Sequence, residues 1–200
     1  METTPWPPAV TLEGQHAVLA PLSPDHAAAL ADAARDGELW KLWYTGVASP
    51  ETMAADIERR LSLRADGAML PFTVIARASG QPVGMTTYMN IEARTPRVEI
   101  GSTWYRASVQ RTQINTECKL MLLGHAFETL GCPAVELRTH FLNTQSRRAI
   151  ERLGAKLDGV LRNHMRMPNG TLRDTCVYSI LESEWPTVRT HLEWQLQRTR

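Results

Sequence analysis

Hydrophobic and polar positions along this chain switch between a period near two and a period near 3.6, and each switch marks a change of element. After a proline-rich start, residues 16–22 suit a short strand. Ser23-Pro24-Asp25 then opens a helix through the alanines to Gly37: serine caps, proline fits the first helical position and aspartate complements the dipole. Ser49-Pro50-Glu51 repeats the signature before a second helix that stops near Gly67, and the aromatic loop Trp40-Lys41-Leu42-Trp43-Tyr44 lies between the two. Phe72, Val74 and Ala76 alternate with their neighbours as in a strand, Ser79-Gly80 turns the chain into a strand over 83–90, and 98–105 forms the next. Leu120, Leu123, Phe127 and Leu130 recur at steps of three and four, the stripe of a helix over about 116–130 that ends at Gly131. Residues 134–138 read as a strand and 144–153 as a helix stopped by Gly154. Two more strands, 156–161 and 172–181, close the pattern, with Asn169-Gly170 as a hairpin signal between them.

The order is strand, two helices, three strands, helix, strand, helix, two strands. An α+β domain with a mixed, mostly antiparallel sheet and flanking helices accommodates it. Two hundred residues bury a substantial core as one domain, and no shift of composition divides them. The terminal segment, about 184–200, carries Trp185, Val188, Leu192 and Trp194 and is expected to pack as a helical tail on the domain or on a second subunit, which allows a homodimer.

Composition narrows the partners. Twenty-two basic residues nearly cancel 21 acidic ones, leaving a formal charge of +1. The basic clusters Arg147-Arg148 and Arg198-Thr199-Arg200 are short, so nucleic acid is not the expected partner. Cys118, Cys132 and Cys176 are odd in number and far apart; they fit reduced cytosolic thiols better than a disulfide framework or a metal site. The start has neither a basic leader nor an apolar run, and no segment approaches a membrane span, so a soluble, cytoplasmic protein without a metal is expected.

The candidate chemistry centres on two strand-to-helix junctions. Residues 110–130 follow a strand through a short polar loop into an amphipathic helix. That places backbone N–H groups and the positive end of a helix dipole together, an arrangement suited to an anion such as a pyrophosphate. Residues 139–155 form the second junction, with Asn143 placed to cap the helix. Glu99-Ile100-Gly101, Asn115-Thr116-Glu117 and the run from Asn143 through Gly154 resemble, in order and spacing, the GNAT superfamily of N-acetyltransferases. The resemblance is closest to the branch of RimJ- and RimL-type ribosomal-protein N-terminal acetyltransferases and covers about residues 12–186. Gln113 departs from it, standing where the family usually has the first glycine of the phosphate loop.

The resemblance implies a GNAT-like sheet in which the strands at Val98 and Ala134 are parallel neighbours that splay apart, with the acyl carrier in the gap. It implies acetyl-CoA as co-substrate and direct transfer of acetyl to an amine of a small molecule, a peptide or a protein N-terminus, with no covalent acyl-enzyme. Trp104, Tyr105, Gln110, Arg111, Thr112, Gln113, Ile114, Asn115, Asn143 and Ser146 would contact the carrier. Glu99 would be the base, or else face solvent or pair with Arg97 or Arg138. Ser146 would donate to the departing sulfur or serve as a first-turn polar residue, and His140 is a rival proton carrier. Trp40, Trp43, Tyr44, Met85 and Tyr88 would wall the acceptor pocket or belong to the core, with His164, Met165 and Arg166 as weaker candidates. Two alternatives stand beside this reading: a non-catalytic acyl-CoA-binding or interaction module, kept open by Gln113, and a transferase of a longer acyl group such as succinyl.

Overall fold

The computed structural model of the protein describes residues 5–198; Thr199 and Arg200 of the terminal basic cluster and the first four residues lie outside them. Its strands are β1 (Leu12–Glu13), β2 (Ala17–Pro21), β3 (Met69–Ala76), β4 (Gln81–Glu92), β5 (Arg97–Tyr105), β6 (Ala134–His140), β7 (Lys156–Arg166) and β8 (Leu172–Leu181). They form one sheet in the order β1-β2-β3-β4-β5-β6-β8-β7. Every neighbouring pair is antiparallel except β5 and β6. The helices are α1 (Ala27–Arg35), α2 (Met53–Ala65), α3 (Gln113–Gly124), α4 (Thr144–Glu151) and α5 (Trp185–Gln197), and α3 runs on into a wider π-turn over His125–Thr129. The mixed, mostly antiparallel α+β architecture is the expected one.

Local chemistry explains most boundaries. The Ser23 hydroxyl accepts from the Asp25 amide at 3.3 Å while the Ser23 amide donates to His26 Nδ1 at 3.3 Å, so Pro24–His26 winds as a tight turn before α1 begins. The second signature closes first as a turn, the Thr52 amide donating to the Ser49 carbonyl at 3.1 Å, and α2 starts only at Met53. Two features were not expected: the two-residue strand β1, and the extension of β7 to Arg166.

Strand alternation sends side chains to two different cores. One face is covered by α3, α4 and α5, and buries Tyr88, Val98, Ile100, Tyr105, Leu122, Leu137, Tyr178, Trp185 and Leu192 among others. The opposite face is covered by α1 and α2, which pack Leu30, Met53 and Ile57 on Met85 and Trp104. Complete burial of one such large apolar side chain contributes roughly 1.5–3 kcal/mol. In the tail, Trp185, Val188 and Leu192 are buried on the protein's own core, while Trp194 stays 51 % exposed beneath the Arg198 guanidinium.

The buried sector of α3 is wider than its leucine stripe predicts. Ile114, Cys118, Leu122 and Leu123 are buried, Leu120 and Leu130 only partly so, and Glu117 and Lys119 are buried too. Packing against the sheet, the β1–β2 turn and α5 encloses more of α3 than a single apolar face, so polar residues on its flanks are enclosed with their partners. Glu117 accepts backbone N–H bonds from Gln15 (2.7 Å), His16 (2.8 Å) and Ala17 (2.8 Å), pinning the β1–β2 turn to α3. A Cβ at Gly14 would stand 2.4 Å from that carboxylate, so only glycine fits there.

Candidate active site

β5 and β6 pair over three registers only, Arg97↔Ala134, Val98↔Val135 and Glu99↔Glu136. Beyond them β5 stays with β4 as far as Gly84↔Tyr105, and β6 stays with β8 as far as His140↔Thr175. The two strands therefore part into a wedge whose β5 side is an unpaired backbone edge. A bulge supplies the bend: Ser102 has a φ of 48°, and the β4–β5 register slips between Met85 and Thr87. Because β5 and β6 are parallel and each leads into a helix, the first turns of α3 and α4 both stand at the open end of the wedge.

At the first junction, Ala107–Val109 makes a tight turn and Arg111 takes a left-handed conformation, φ 62°. Thr112 caps α3, accepting from the Ile114 amide at 3.4 Å. Gln113, Ile114 and Asn115, expected in the loop, are thus the first turn of the helix. The Ile114 side chain is buried in the core, which leaves its backbone alone for a ligand. The Gln113 side chain turns to the tail, its amide donating to the Leu196 carbonyl at 2.7 Å, and Gln110 is held to the Tyr105 carbonyl at 3.0 Å. At the second junction, Asn143 Oδ1 accepts from the Ser146 amide at 3.1 Å and caps α4, while its Nδ2 stays out of the cap.

Glu99 sits where the wedge opens, 5 % exposed. Asn90 donates to its Oε2 at 2.6 Å, and Arg138 Nε lies 3.5 Å from the same oxygen. Burial pushes its pKa above the usual carboxylate value, with the Asn90 hydrogen bond and the Arg138 charge pulling the other way. Arg138 bonds more closely to Glu136, at 2.9 and 2.6 Å, and Arg97 also pairs with Glu136. Of the expected alternatives for Glu99, exposure to solvent is overturned by its burial, Arg97 belongs to Glu136, and Arg138 is shared. Gly101 makes room for the carboxylate, since a Cβ there would stand 3.0 Å from Glu99 Oε1 and 2.6 Å from the Met89 sulfur.

His140, at the end of β6, is 4 % exposed. Its Nδ1 accepts from the Leu142 amide at 3.0 Å, which makes Nε2 the protonated nitrogen of the neutral ring. Burial first, and the Arg173 charge second, hold its pKa below the usual histidine value. Trp43 and Tyr44 of the aromatic loop meet the ring edge-on, with centroids at 5.2 and 6.2 Å. Among the described residues, four buried side-chain atoms lack a hydrogen-bond partner: His140 Nε2, Trp104 Nε1, the Tyr105 hydroxyl and His125 Nε2.

Not every expected residue reaches the wedge. Tyr88 lies on the opposite face of β4, fully buried, with its hydroxyl donating to the Leu122 carbonyl, so it serves the core rather than an acceptor pocket. Strand alternation is the reason, since Met85, Thr87 and Met89 take the Glu99 face. Met85 is fully buried under α1 and α2, and Trp40 packs against the same cluster. The Tyr105 ring likewise points into the α3 core, leaving its backbone at the edge of the wedge. Met165 is 45 % exposed, Arg166 bonds to the hairpin carbonyl of Gly170 at 3.0 Å, and His164 bonds to the Thr175 hydroxyl at 3.0 Å. Asn90, Glu136 and Arg173 were missed. The alternation Glu136-Arg138-His140 in an otherwise apolar strand was the available signal for a polar face.

A splayed parallel pair, a helix start facing the gap and a buried carboxylate at its mouth make up the candidate site. The sequence profile of the acetyltransferase (GNAT) domain matches residues 16–156, and the chain belongs to this family of N-acetyltransferases. A GCN5-related N-acetyltransferase from Brucella melitensis shares 30 % identity and superposes with a TM-score of 0.83, over 98 % of this chain and 90 % of that one. Mycobacterium smegmatis RimJ, solved with CoA-disulfide, shares the fold at 22 % identity and a TM-score of 0.77, over 95 % of each chain. RimL, a ribosomal L7/L12 alpha-N-protein acetyltransferase, does so at 17 % and 0.76, over 86 % of this chain and 94 % of its own. No curated protein sequence matches the chain significantly.

Proposed function

We propose that the protein is an acetyl-CoA-dependent N-acetyltransferase of the cytoplasm that moves an acetyl group directly to an amine of a peptide, a protein N-terminus or a small molecule. The observation that carries this is Glu99: a buried carboxylate with raised pKa at the point where the parallel strands part. A base for an ammonium group needs proton affinity above that of an exposed carboxylate, and burial provides it.

The residues present suit the carrier. The unpaired edge of β5 at Trp104 and Tyr105 offers backbone bonds to an extended amide arm. The first turn of α3, with Thr112 through Asn115 and the left-handed Arg111, offers N–H groups to its phosphates. The Gln113 amide is engaged with Leu196, which removes the main motive for the non-catalytic alternative. Asn143 Nδ2 would bond the arm while Oδ1 keeps the cap. When bound, the carrier supplies a thioester carbonyl and a thiolate leaving group. Glu99 takes the proton from the ammonium, Ser146 donates toward the leaving sulfur, and Trp43, Tyr44 and His140 border the acceptor. Orientation contributes much of the rate, and base assistance on the order of 10²–10⁴-fold. The fold shared with RimL favours a protein N-terminus among the acceptor classes.

The test is release of free thiol from acetyl-CoA on addition of amines and N-terminal peptides, with mass spectrometry of the product. Acetyl-CoA should be preferred over succinyl-CoA. Calorimetric binding of coenzyme A with no acetylated product across the panel would return the protein to the carrier-binding alternative.

A further inference from the structure

We infer that Arg173 and His140 form a carboxylate-binding subsite of the acceptor site, holding an acid group carried close to the amine that Glu99 deprotonates. The inference rests on the proposed acetyl transfer and adds the class of acceptor.

Three observations lead to it. His140 faces Thr175 across the β6–β8 register, and Arg173, two residues before Thr175, shares its side of the sheet. The Thr175 hydroxyl is itself buried and bonds to Arg173 Nε at 2.9 Å and to His164 Nδ1 at 3.0 Å, which fixes the direction of the guanidinium. Among the described residues, the terminal nitrogens of Arg173 have no hydrogen-bond or salt-bridge partner, and the Nε2–H of His140 has none either. A buried donor left unpaired costs about 1–3 kcal/mol, so an unfilled His140 Nε2–H beneath two aromatic rings points to a ligand acceptor.

The charges specify that acceptor. Arg173 acts electrostatically on both Glu99 and His140, so a cation stands near both the base and the orphan donor. A zwitterion matches this layout: its ammonium faces Glu99, and its carboxylate takes the guanidinium N–H groups and the imidazole N–H. A simple alkylamine would leave the buried His140 Nε2–H unfilled. The carboxylate belongs either to a free amino acid or to an acidic side chain at a peptide N-terminus.

The experiment compares each free amino acid with its amide and its decarboxylated amine, alongside dipeptide amides beginning with Asp or Glu, in thiol release. At least one acid should show a KM about tenfold or more below that of its neutral counterpart, and in Arg173→Gln the ratio of the two KM values should fall to about one. His140→Asn should raise the same KM less, because a neutral donor is lost. Preference for free amino acids assigns one source of the carboxylate, and preference for acidic dipeptides assigns the other. Binding of N-acetyl amino acids, followed by melting temperature, is read without turnover. It should stabilise the wild type and not Arg173→Gln. If that binding persists while no acceptor is acetylated, the subsite stands and the proposed activity falls. Equal use of acids and amides, or an acid preference that survives Arg173→Gln, overturns the subsite. So does the absence of both acid preference and product binding.

Discussion

Glu99 and Glu117 are both buried carboxylates in segments that match the family pattern, and they do opposite work. Glu117 accepts three backbone N–H bonds, from Gln15, His16 and Ala17, and is consumed by them. Glu99 has one short bond from Asn90, a longer approach from Arg138 and a raised pKa. Burial alone therefore does not mark a chemical group. What distinguishes the two is how completely the protein satisfies the charge: a saturated carboxylate ties architecture together, and an under-satisfied one keeps proton affinity in reserve.

Exchanging the functional groups tests that contrast. The largest effect is expected at Glu99→Gln, with turnover down about 10²–10⁴-fold and coenzyme A affinity nearly unchanged. Wild-type activity should rise with pH as a carboxyl titrating above its usual 4.5 loses its proton, and the variant should lack that limb. Unchanged turnover would move the base elsewhere. Glu117→Ala should reverse the pattern: three backbone donors lose their acceptor, stability in urea falls by about 3 kcal/mol or more, and kcat of the folded fraction is retained.

Lys119 sharpens the comparison with a cation. It is buried on α3, donates to Thr103 at 2.8 Å and Thr86 at 3.4 Å, and burial lowers its pKa to about 8. Because its folded pKa lies below the unfolded value of 10.5, the unfolded chain holds more protons between the two. Stability from this residue should therefore rise with pH from about 8 to 10.5. Lys119→Met should stabilise the protein at pH 7, by up to about 3 kcal/mol, and flatten that rise. A flat wild-type profile over that range would mean that the ammonium is solvated. The smallest effect is expected at Asn143. Asn143→Ala should cost about 0.5–2 kcal/mol of stability through the lost cap, while Asn143→Asp keeps the cap and weakens coenzyme A binding about fivefold by removing Nδ2. Tight binding by the aspartate variant would reduce Asn143 to a cap.

Local signals carried far into this fold. The serine and asparagine caps, the glycine stops and the leucine spacing located the first four helices, and the Glu99-Ile100-Gly101 motif brought out the buried carboxylate. Helix starts were the least legible. Thr112 rather than a residue near 116 caps α3, because a hydroxyl that can reach the second amide beyond it moves the boundary upstream. Gln113 reads in sequence as an obstruction, but its side chain lies against Leu196, 83 residues away, and no local pattern contains that partner.

The chain by itself determined where strands and helices alternate, that two strands lead directly into helices, and that an acid stands near the start of one of those strands. Periodicity, capping and turn chemistry act over a few residues, so they are written in order along the sequence. Only the tertiary structure decided that Tyr88 faces away from Glu99, that Glu117 is saturated, and that Asn90, Arg138 and Arg173 act on one carboxylate from three different strands. Proton affinity and unfilled hydrogen bonds depend on desolvation and on neighbours brought together by sheet register, and those distances exist only after the chain has folded.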